Sequence, residues 1–204
     1  MPYLSGFHSR GYLPHFKSEG RAYFVTFRLA DSLPREVVVR LQAQREDLLR
    51  RAATECREPG IDERARLNAW YAAEVDSLLD RSTGEAWLRQ SAIADVVSSA
   101  LRHFDGVRHQ LHAWVVMPNH VHAVVRPHAG HPLESILHSW KSFSAVQANR
   151  MLDRAGHPFW QRESYDHVVR DDADFAACCR YTEENPVKAG LCCAPGDWRW
   201  SSAA

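Results

Sequence analysis

Hydrophobic and polar residues follow two different periods along this chain, and the changes between them predict alternating strands and helices. Residues 22–29 (AYFVTFRL) are dominated by β-branched and aromatic side chains, which is typical of a strand. Apolar residues instead recur every three or four positions in five segments, which are predicted to be helical. These segments are 34–53, 62–79, 85–104, 133–155 and 171–184. Pro186 and Gly190 are expected to end the last helix.

The middle of the chain predicts a tight hairpin. Residues 114–125 (WVVMPNHVHAVV) contain two apolar runs separated by Pro118 and Asn119, a pair typical of turns. A further short strand is predicted within 164–170. Strands that alternate with helices around a hairpin indicate an α+β fold, in which helices flank a central antiparallel sheet.

The second strand of this hairpin carries two histidines. His120 and His122 are two residues apart, so in a strand their side chains point to the same face. A neutral imidazole is a common ligand of divalent transition ions, so the pair forms half of a metal site. Two exposed strand histidines without a ligand are the alternative, and the spacing by itself leaves it open.

Length and composition indicate one compact domain in the cytoplasm. The 204 residues contain no linker that would separate two domains, and residues of about 55–84 are expected to form a helical insertion into a single domain over 1–204. No apolar run approaches the roughly 18 residues that span a bilayer. The five cysteines are Cys56 and two adjacent pairs, which is typical of reduced cytoplasmic thiols.

Charge alone does not indicate nucleic-acid binding, because 25 basic side chains balance 25 acidic ones. Residues 1–30 nevertheless carry four basic residues against one acidic residue, so any anion-binding surface must be local and partly N-terminal. Each basic candidate for a phosphate contact could equally be an ordinary solvated charge. The candidates are Arg10, Lys17, Lys141, Arg150 and Lys188, with Arg154 as a further possibility.

The last predicted helix carries a second arrangement of polar side chains. Tyr181 and Asn185 are four residues apart, so they share one helix face and their oxygens lie close together. The alternative is structural: a tyrosine near a helix end packs its ring, and an asparagine before a proline commonly ends a helix.

Several collinear motifs resemble the REP-associated tyrosine transposases, a branch of the single-tyrosine HUH transposases related to insertion sequence 200. The resemblance covers nearly the whole chain, and one visible departure is Thr182, where that family usually has isoleucine. The matching segments are 20–34 (GRAYFVTFRLADSLP), 113–122 (AWVVMPNHVH), 138–143 (HSWKSF), 159–167 (FWQRESYDH), 181–191 (YTEENPVKAGL) and 198–202 (WRWSS).

The resemblance implies a fold, a site and a substrate. The fold would be that of the HUH endonucleases, which is ferredoxin-like or RRM-like, in a monomer or a homodimer. His120, His122 and Asn185 would bind Mg²⁺ or Mn²⁺, and Tyr181 would form a 5′-phosphotyrosine bond with DNA. The substrate would be single-stranded DNA beside a hairpin formed by a repetitive extragenic palindrome, with no small molecule and no membrane involved. The choice of ion comes from the family, since two imidazoles by themselves favour zinc-type ions.

The residues leave five points open. A non-catalytic hairpin-binding protein derived from such a transposase is the main alternative function. A nucleotide hydrolase with three alternating histidines ranks low, because Val124 occupies the third position. His167 rivals Asn185 as the third metal ligand, and Tyr165 rivals Tyr181 as the nucleophile. The sequence identifies no general base.

Overall fold

The computed structural model describes residues 6–9, 14–17, 20–54, 73–79 and 84–204. The chain divides into two compact units, Asp31–Glu85 and the combination of Met1–Ala30 with Ala86–Ala204. The single domain with an inserted segment over about 55–84 stays a prediction, because most of that segment lies outside the described residues. None of the described helices is long and apolar enough to cross a membrane.

The larger unit is built on a four-stranded antiparallel sheet with the strand order β4-β5-β3-β6. Helices flank this sheet, which confirms the predicted α+β fold. Its strands are β3 (Tyr23–Arg28), β4 (His109–Val116), β5 (His120–Pro127) and β6 (Tyr165–Val168). Two strands that the sequence patterns did not predict, β1 (Gly6–Ser9) and β2 (Pro14–Lys17), pair in a separate two-stranded sheet.

Helices account for most of the remaining described residues. In the smaller unit, α1 covers Arg35–Thr54 and residues 73–79 are also helical. In the larger unit, the helices are α2 (Ser91–Arg102), α3 (Leu133–Met151) and α4 (Asp172–Lys188). Short 3₁₀ helices lie at Trp87–Arg89 and Pro195–Asp197.

The central sheet buries both of its faces, and the strand period of two divides its residues between them. Tyr23, Val25 and Phe27 of β3 join Val121 and Ala123 of β5 in the main core, which also contains the buried sides of α2 and α3. The intervening residues point to the opposite face. There a smaller apolar cluster of Phe24, Ala113 and Val124 contacts side chains of α4.

Two helix predictions are wrong in detail. The segment 85–104 does not form one helix, because Ala86 has a φ of 49° and Gln90 is extended, so α2 begins only at Ser91. The last helix does not end at Pro186 but continues to Lys188. A proline in the final turn removes one backbone donor, and the amide of Leu191 still bonds the Pro186 carbonyl at 2.8 Å. Asn185 therefore keeps its helical position beside Tyr181.

The closing motif 198–202 covers the outer edge of β4. The amide of Val116 bonds the Trp200 carbonyl and the amide of Ser202 bonds the Trp114 carbonyl, both at 2.9 Å. The Ser202 hydroxyl also donates to the Glu183 carboxylate at 3.1 Å. The C-terminal segment thus satisfies an exposed strand edge and links it to α4.

Candidate metal and nucleophile site

The two histidines of β5 lie side by side beneath α4. The side chains of His120 and His122 have no exposed surface, so the alternative of two exposed strand histidines is wrong. Their Nε2 atoms are 3.0 Å apart, and their rings meet edge to face. The strand period has therefore brought two imidazole nitrogens to one buried point.

The other nitrogen of each ring is held by a neighbouring polar side chain. The Nδ1 atom of His120 is 2.7 Å from Asn119 Oδ1, in the turn that precedes β5. The Nδ1 atom of His122 is 2.8 Å from Thr26 Oγ1, and Thr26 is the direct partner of His122 in the pairing of β3 with β5. Such contacts fix the plane of an imidazole ring and direct its remaining nitrogen.

Burial keeps both rings neutral. It lowers the pKa of His120 to about 3, and it lowers the pKa of His122 well below the ordinary value, with the neighbouring His120 as a second cause. Two ligands bound about 2.1 Å from one ion lie roughly 3 Å apart when their bonds meet near a right angle. The 3.0 Å separation of the Nε2 atoms matches that arrangement. These residues therefore fit a divalent cation.

Helix α4 carries Tyr181 and Asn185, and it places the Tyr181 ring against His122. The ring of Tyr181 is half-buried, and its centroid lies 5.5 Å from that of His122 and 5.8 Å from that of Phe24. Asn185 is 1% exposed, and neither its Nδ2 nor its Oδ1 has a hydrogen-bond partner among the described residues. A buried amide without partners costs about 1–3 kcal/mol. That cost is offset if a bound ligand uses the Asn185 oxygen.

His167 is engaged in a separate cluster at the other side of Phe24. It pairs with Phe24 across β3 and β6, and its Nε2 lies 2.9 Å from the Asp174 carboxylate. Asp174 also accepts from the Arg170 backbone at 3.0 Å, and its other oxygen lies 4.0 Å from the Cys178 sulfur. Although burial opposes the effect, hydrogen bonds from Arg170 and His167 hold the pKa of Asp174 below its ordinary value.

This second cluster contains three metal-ligating side-chain types. The ligating atoms of His167, Asp174 and Cys178 all lie within 4.8 Å of one another. Burial raises the pKa of the Cys178 thiol to about 12, so the thiol stays protonated. The hydrogen bonds and the ion pair with Arg170 already satisfy the Asp174 carboxylate. The bond between His167 of β6 and Asp174 of α4 anchors this helix to the strand.

Tyr165, the rival nucleophile, lies on β6 directly across from Thr26. Because β3 separates β6 from β5, its backbone is about 9–10 Å from that of His122, at the usual strand spacing of about 4.8 Å. Tyr181 thus packs against His122. Tyr165 lies on β6, which β3 separates from the histidine strand β5.

The predicted phosphate contacts are scattered. Lys141 lies on α3, which packs on the face opposite the histidines. Its ammonium group donates to the Gln161 and Arg162 carbonyls and to the Ser164 hydroxyl, which uses all three of its protons. Burial, followed by the charge of Arg28, lowers the pKa of Lys141 to about 8. Lys141 thereby anchors the segment that leads into β6.

The other basic candidates lie in different parts of the chain. Arg150 is exposed on α3, the same helix as Lys141, which packs on the face of the sheet opposite the histidines. The Lys188 ammonium lies 4.9 Å from the Tyr181 ring centroid and 3.2 Å from the Glu184 carboxylate. Arg10 lies outside the described residues, and only the backbone of Lys17, in β2, is described. Of the candidates whose side chains are described, Lys188 is the one that contacts Tyr181.

Two polar residues of the site were not among the sequence-based candidates. Thr26 and Asn119 each contact one of the histidines, and both are buried. Thr26 interrupts an otherwise apolar and aromatic strand, which was the available signal. Asn119 was assigned to the turn only, because the residue type Asn after Pro is typical of turns.

Comparison with known proteins gives three findings. Residues 86–185 match the model of the family described as "Transposase IS200 like". A stretch of 43 residues, 21% of this chain, is 44% identical to a protein of Haemophilus influenzae named "Putative REP-associated tyrosine transposase". That stretch spans 24% of the relative, about a quarter of its length.

The third finding concerns solved structures. One is described as "Structure of the REP associates tyrosine transposase bound to a REP hairpin". It matches with a TM-score of 0.53 and 17% sequence identity, over 98% of this chain and 82% of the other. At that level of identity the similarity shows a shared fold.

Proposed function

Because this chain belongs to the IS200-like transposase family through residues 86–185, we propose that it is a metal-dependent endonuclease and strand transferase for single-stranded DNA. Transposases are enzymes, so the family supports catalysis in general. The proposed nucleophile is Tyr181, and the proposed metal ligands are His120, His122 and Asn185. The proposed substrate is DNA beside a REP-type hairpin, the ligand in the structure of similar fold.

One observation carries this proposal: a buried histidine pair packs against the helix that carries both Tyr181 and an unpartnered, buried amide. The Nε2 atoms of His120 and His122 are 3.0 Å apart, and the unpartnered amide of Asn185 is buried on the helix that holds Tyr181 against His122. A structural tyrosine explains the ring contacts but not the unpartnered Asn185 amide. Two neutral nitrogens and one amide oxygen would leave the full charge on a bound Mg²⁺ or Mn²⁺, and such an ion would polarise and orient a phosphate.

Tyr181 supplies the covalent chemistry. Its phenolic oxygen attacks phosphorus in line with the bond to the 3′ oxygen, and the tyrosyl oxygen–phosphorus bond forms as that bond breaks. The phenolic proton leaves Tyr181 and the 3′ oxygen departs as a hydroxyl, so the DNA 5′ end stays on the enzyme. The phosphotyrosine bond retains the energy of the broken phosphodiester bond, which lets a 3′ hydroxyl reverse the reaction and join strands. The Lys188 ammonium near the Tyr181 ring favours the negative charge that develops there.

A non-catalytic hairpin-binding protein is the second candidate, and one observation favours it. The side chains of His120 and His122 have no exposed surface, so a phosphate reaches them only if the residues that cover them move. A binding protein needs no such movement. Formation of a covalent adduct separates the two functions.

The test uses a labelled single-stranded oligonucleotide that contains a hairpin from the repeats of the source genome. With Mn²⁺, the wild-type chain should cleave it and form an adduct that survives denaturing electrophoresis, whereas excess chelator should prevent both. Tyr181→Phe should lose the adduct but keep hairpin affinity, because phosphate contacts elsewhere carry most of the binding. Tyr165→Phe is the matched control and should still form it. A wild-type chain that binds the hairpin without an adduct would support the second candidate.

A further inference from the structure

Four buried polar side chains form one continuous line of hydrogen bonds. The line runs from Thr26 Oγ1 to His122 Nδ1 at 2.8 Å, across the two Nε2 atoms at 3.0 Å, and from His120 Nδ1 to Asn119 Oδ1 at 2.7 Å. Its members are between 0% and 5% exposed. Buried polar groups are almost always hydrogen-bonded, so each contact in the line needs one proton donor and one acceptor.

The proton of His120 is assigned by Asn119. The Asn119 carbonyl oxygen only accepts, so the Nδ1 atom of His120 must carry the proton and donate it. A neutral imidazole carries one such proton, and the Nε2 atom of His120 is therefore an unprotonated acceptor.

His122 has two arrangements that satisfy the same line. In the first, its Nε2 donates to His120 Nε2, and its Nδ1 accepts from the Thr26 hydroxyl. In the second, its Nδ1 donates to the Thr26 oxygen, and both Nε2 lone pairs face each other. The second is repulsive unless a cation lies between the lone pairs. Only a hydroxyl partner serves both arrangements, because it donates one proton and also accepts.

We propose that Thr26 is a positioning residue that lets His122 change from proton donor to metal ligand. The inference rests on the proposed function, since it needs a cation at the two Nε2 atoms. Rotation of the Thr26 hydroxyl accompanies the shift of the His122 proton from Nε2 to Nδ1. The opposed positions of the two residues in the β3–β5 pairing hold the hydroxyl in reach throughout. Asn119 keeps His120 in its ligand form with or without the ion.

Substitution by valine separates this role from packing. Thr26→Val preserves the branched shape but leaves the Nδ1 proton of His122 buried and unpaired whenever a cation is bound. Thr26→Ser retains the hydroxyl and removes only a methyl group. Loss of a side chain that orients a metal ligand typically weakens metal affinity by about 10–100-fold.

The experiment is calorimetric titration of the full chain with Mn²⁺ in the absence of DNA. Thr26→Val should bind the ion about 10–100-fold more weakly than wild type, whereas Thr26→Ser should retain most of the affinity. Melting temperatures of the ion-free proteins show whether the variants fold. Equal affinity of folded Thr26→Val and wild type would overturn the inference and leave the metal site standing. A wild-type chain that binds no Mn²⁺ would instead remove the proposed metal site and the inference with it.

A second readout follows the histidine protons directly. In ¹⁵N spectra of the ion-free chain, His120 should be protonated at Nδ1 and His122 at Nε2. Mg²⁺ should move the His122 proton to Nδ1 in wild type, and Thr26→Val should resist that change at the same Mg²⁺ concentration. A purely structural role would lower the melting temperature without changing this response. An identical Mg²⁺ response in the two proteins would contradict the proposal.

Discussion

The two faces of the central sheet are built from the same strands but have different contents. Among the described residues, the face that packs on α2 and α3 belongs to a core of twenty buried residues, whereas the α4 face has an apolar cluster of three. Buried polar side chains also lie on the α4 side, among them His120 and His122 of β5 and Asn185 of α4. Successive residues of β3 and β5 point to opposite faces. Residues of the apolar core therefore alternate along these strands with residues on the side of the candidate site.

This separation is possible because each face is covered by its own helices. A polar group is costly to bury, and the apolar face provides the free energy that offsets the cost. The unpartnered Asn185 amide and the close approach of two imidazole nitrogens are tolerated there. Substitutions on the two faces should therefore affect different properties.

The largest expected effect is the loss of catalysis from the polar face. His120→Ala should abolish cleavage of a single-stranded hairpin oligonucleotide in the presence of Mn²⁺ or Mg²⁺, because it removes one proposed ligand. Hairpin affinity, measured by gel shift, should stay close to wild type since phosphate contacts lie elsewhere. Full cleavage by a variant with both histidines replaced by alanine would show that the pair is not required.

The next effect is on stability and comes from the apolar face. Phe27 is 1% exposed and packs edge to face on Trp160 at 4.8 Å. Phe27→Ala should lower the free energy of unfolding by about 3–5 kcal/mol in urea titrations, through lost burial and a cavity. Val146→Ala, at an exposed position of α3, is the matched control and should change it by less than about 0.5 kcal/mol. Similar losses from both would mean that the twenty-residue core does not stabilise the unit.

The sequence predicted the periodic part of this arrangement well. A period of two was enough to place His120 beside His122, and a helical period was enough to place Tyr181 beside Asn185. The strand register across the sheet was not predictable, because it depends on which strands become neighbours. The contact of Thr26 with His122 follows from that register. The anchoring contacts of Lys141 were not predictable from the sequence, because two of its acceptors are loop carbonyls twenty or more residues away.

Asn185 and His167 offer a comparison within the polar face. Asn185 lacks partners among the described residues, whereas His167 is bonded to Asp174 at 2.9 Å. Asn185→Ala should therefore weaken Mn²⁺ binding more than His167→Ala, by about tenfold or more if the amide is a ligand. Calorimetric titration of both variants measures the difference. The reverse order would transfer the third ligand to His167.

A further prediction concerns the pH dependence of stability. Burial holds the folded-state pKa of His120 at about 3 and lowers that of His122 as well, while both titrate near 6.5 in the unfolded chain. Below pH 6.5 the unfolded chain binds protons that the folded chain does not. The free energy of unfolding of the ion-free protein should thus fall as the pH is lowered from 6.5 toward 3. Urea titrations at several pH values should show a shallower fall for His120→Gln, and an unchanged slope would contradict neutral burial.

The most direct test of the central claim is the identity of the tyrosine that carries DNA. Trypsin separates the two candidates, because cleavage after Arg180 and Lys188 releases residues 181–188 and cleavage after Arg162 and Arg170 releases residues 163–170. The adduct formed with Mn²⁺ is digested with nuclease and trypsin and analysed by mass spectrometry. A residual nucleotide phosphate on the peptide 181–188 is the predicted result. Its presence on the peptide 163–170 would contradict the account and make Tyr165 the nucleophile.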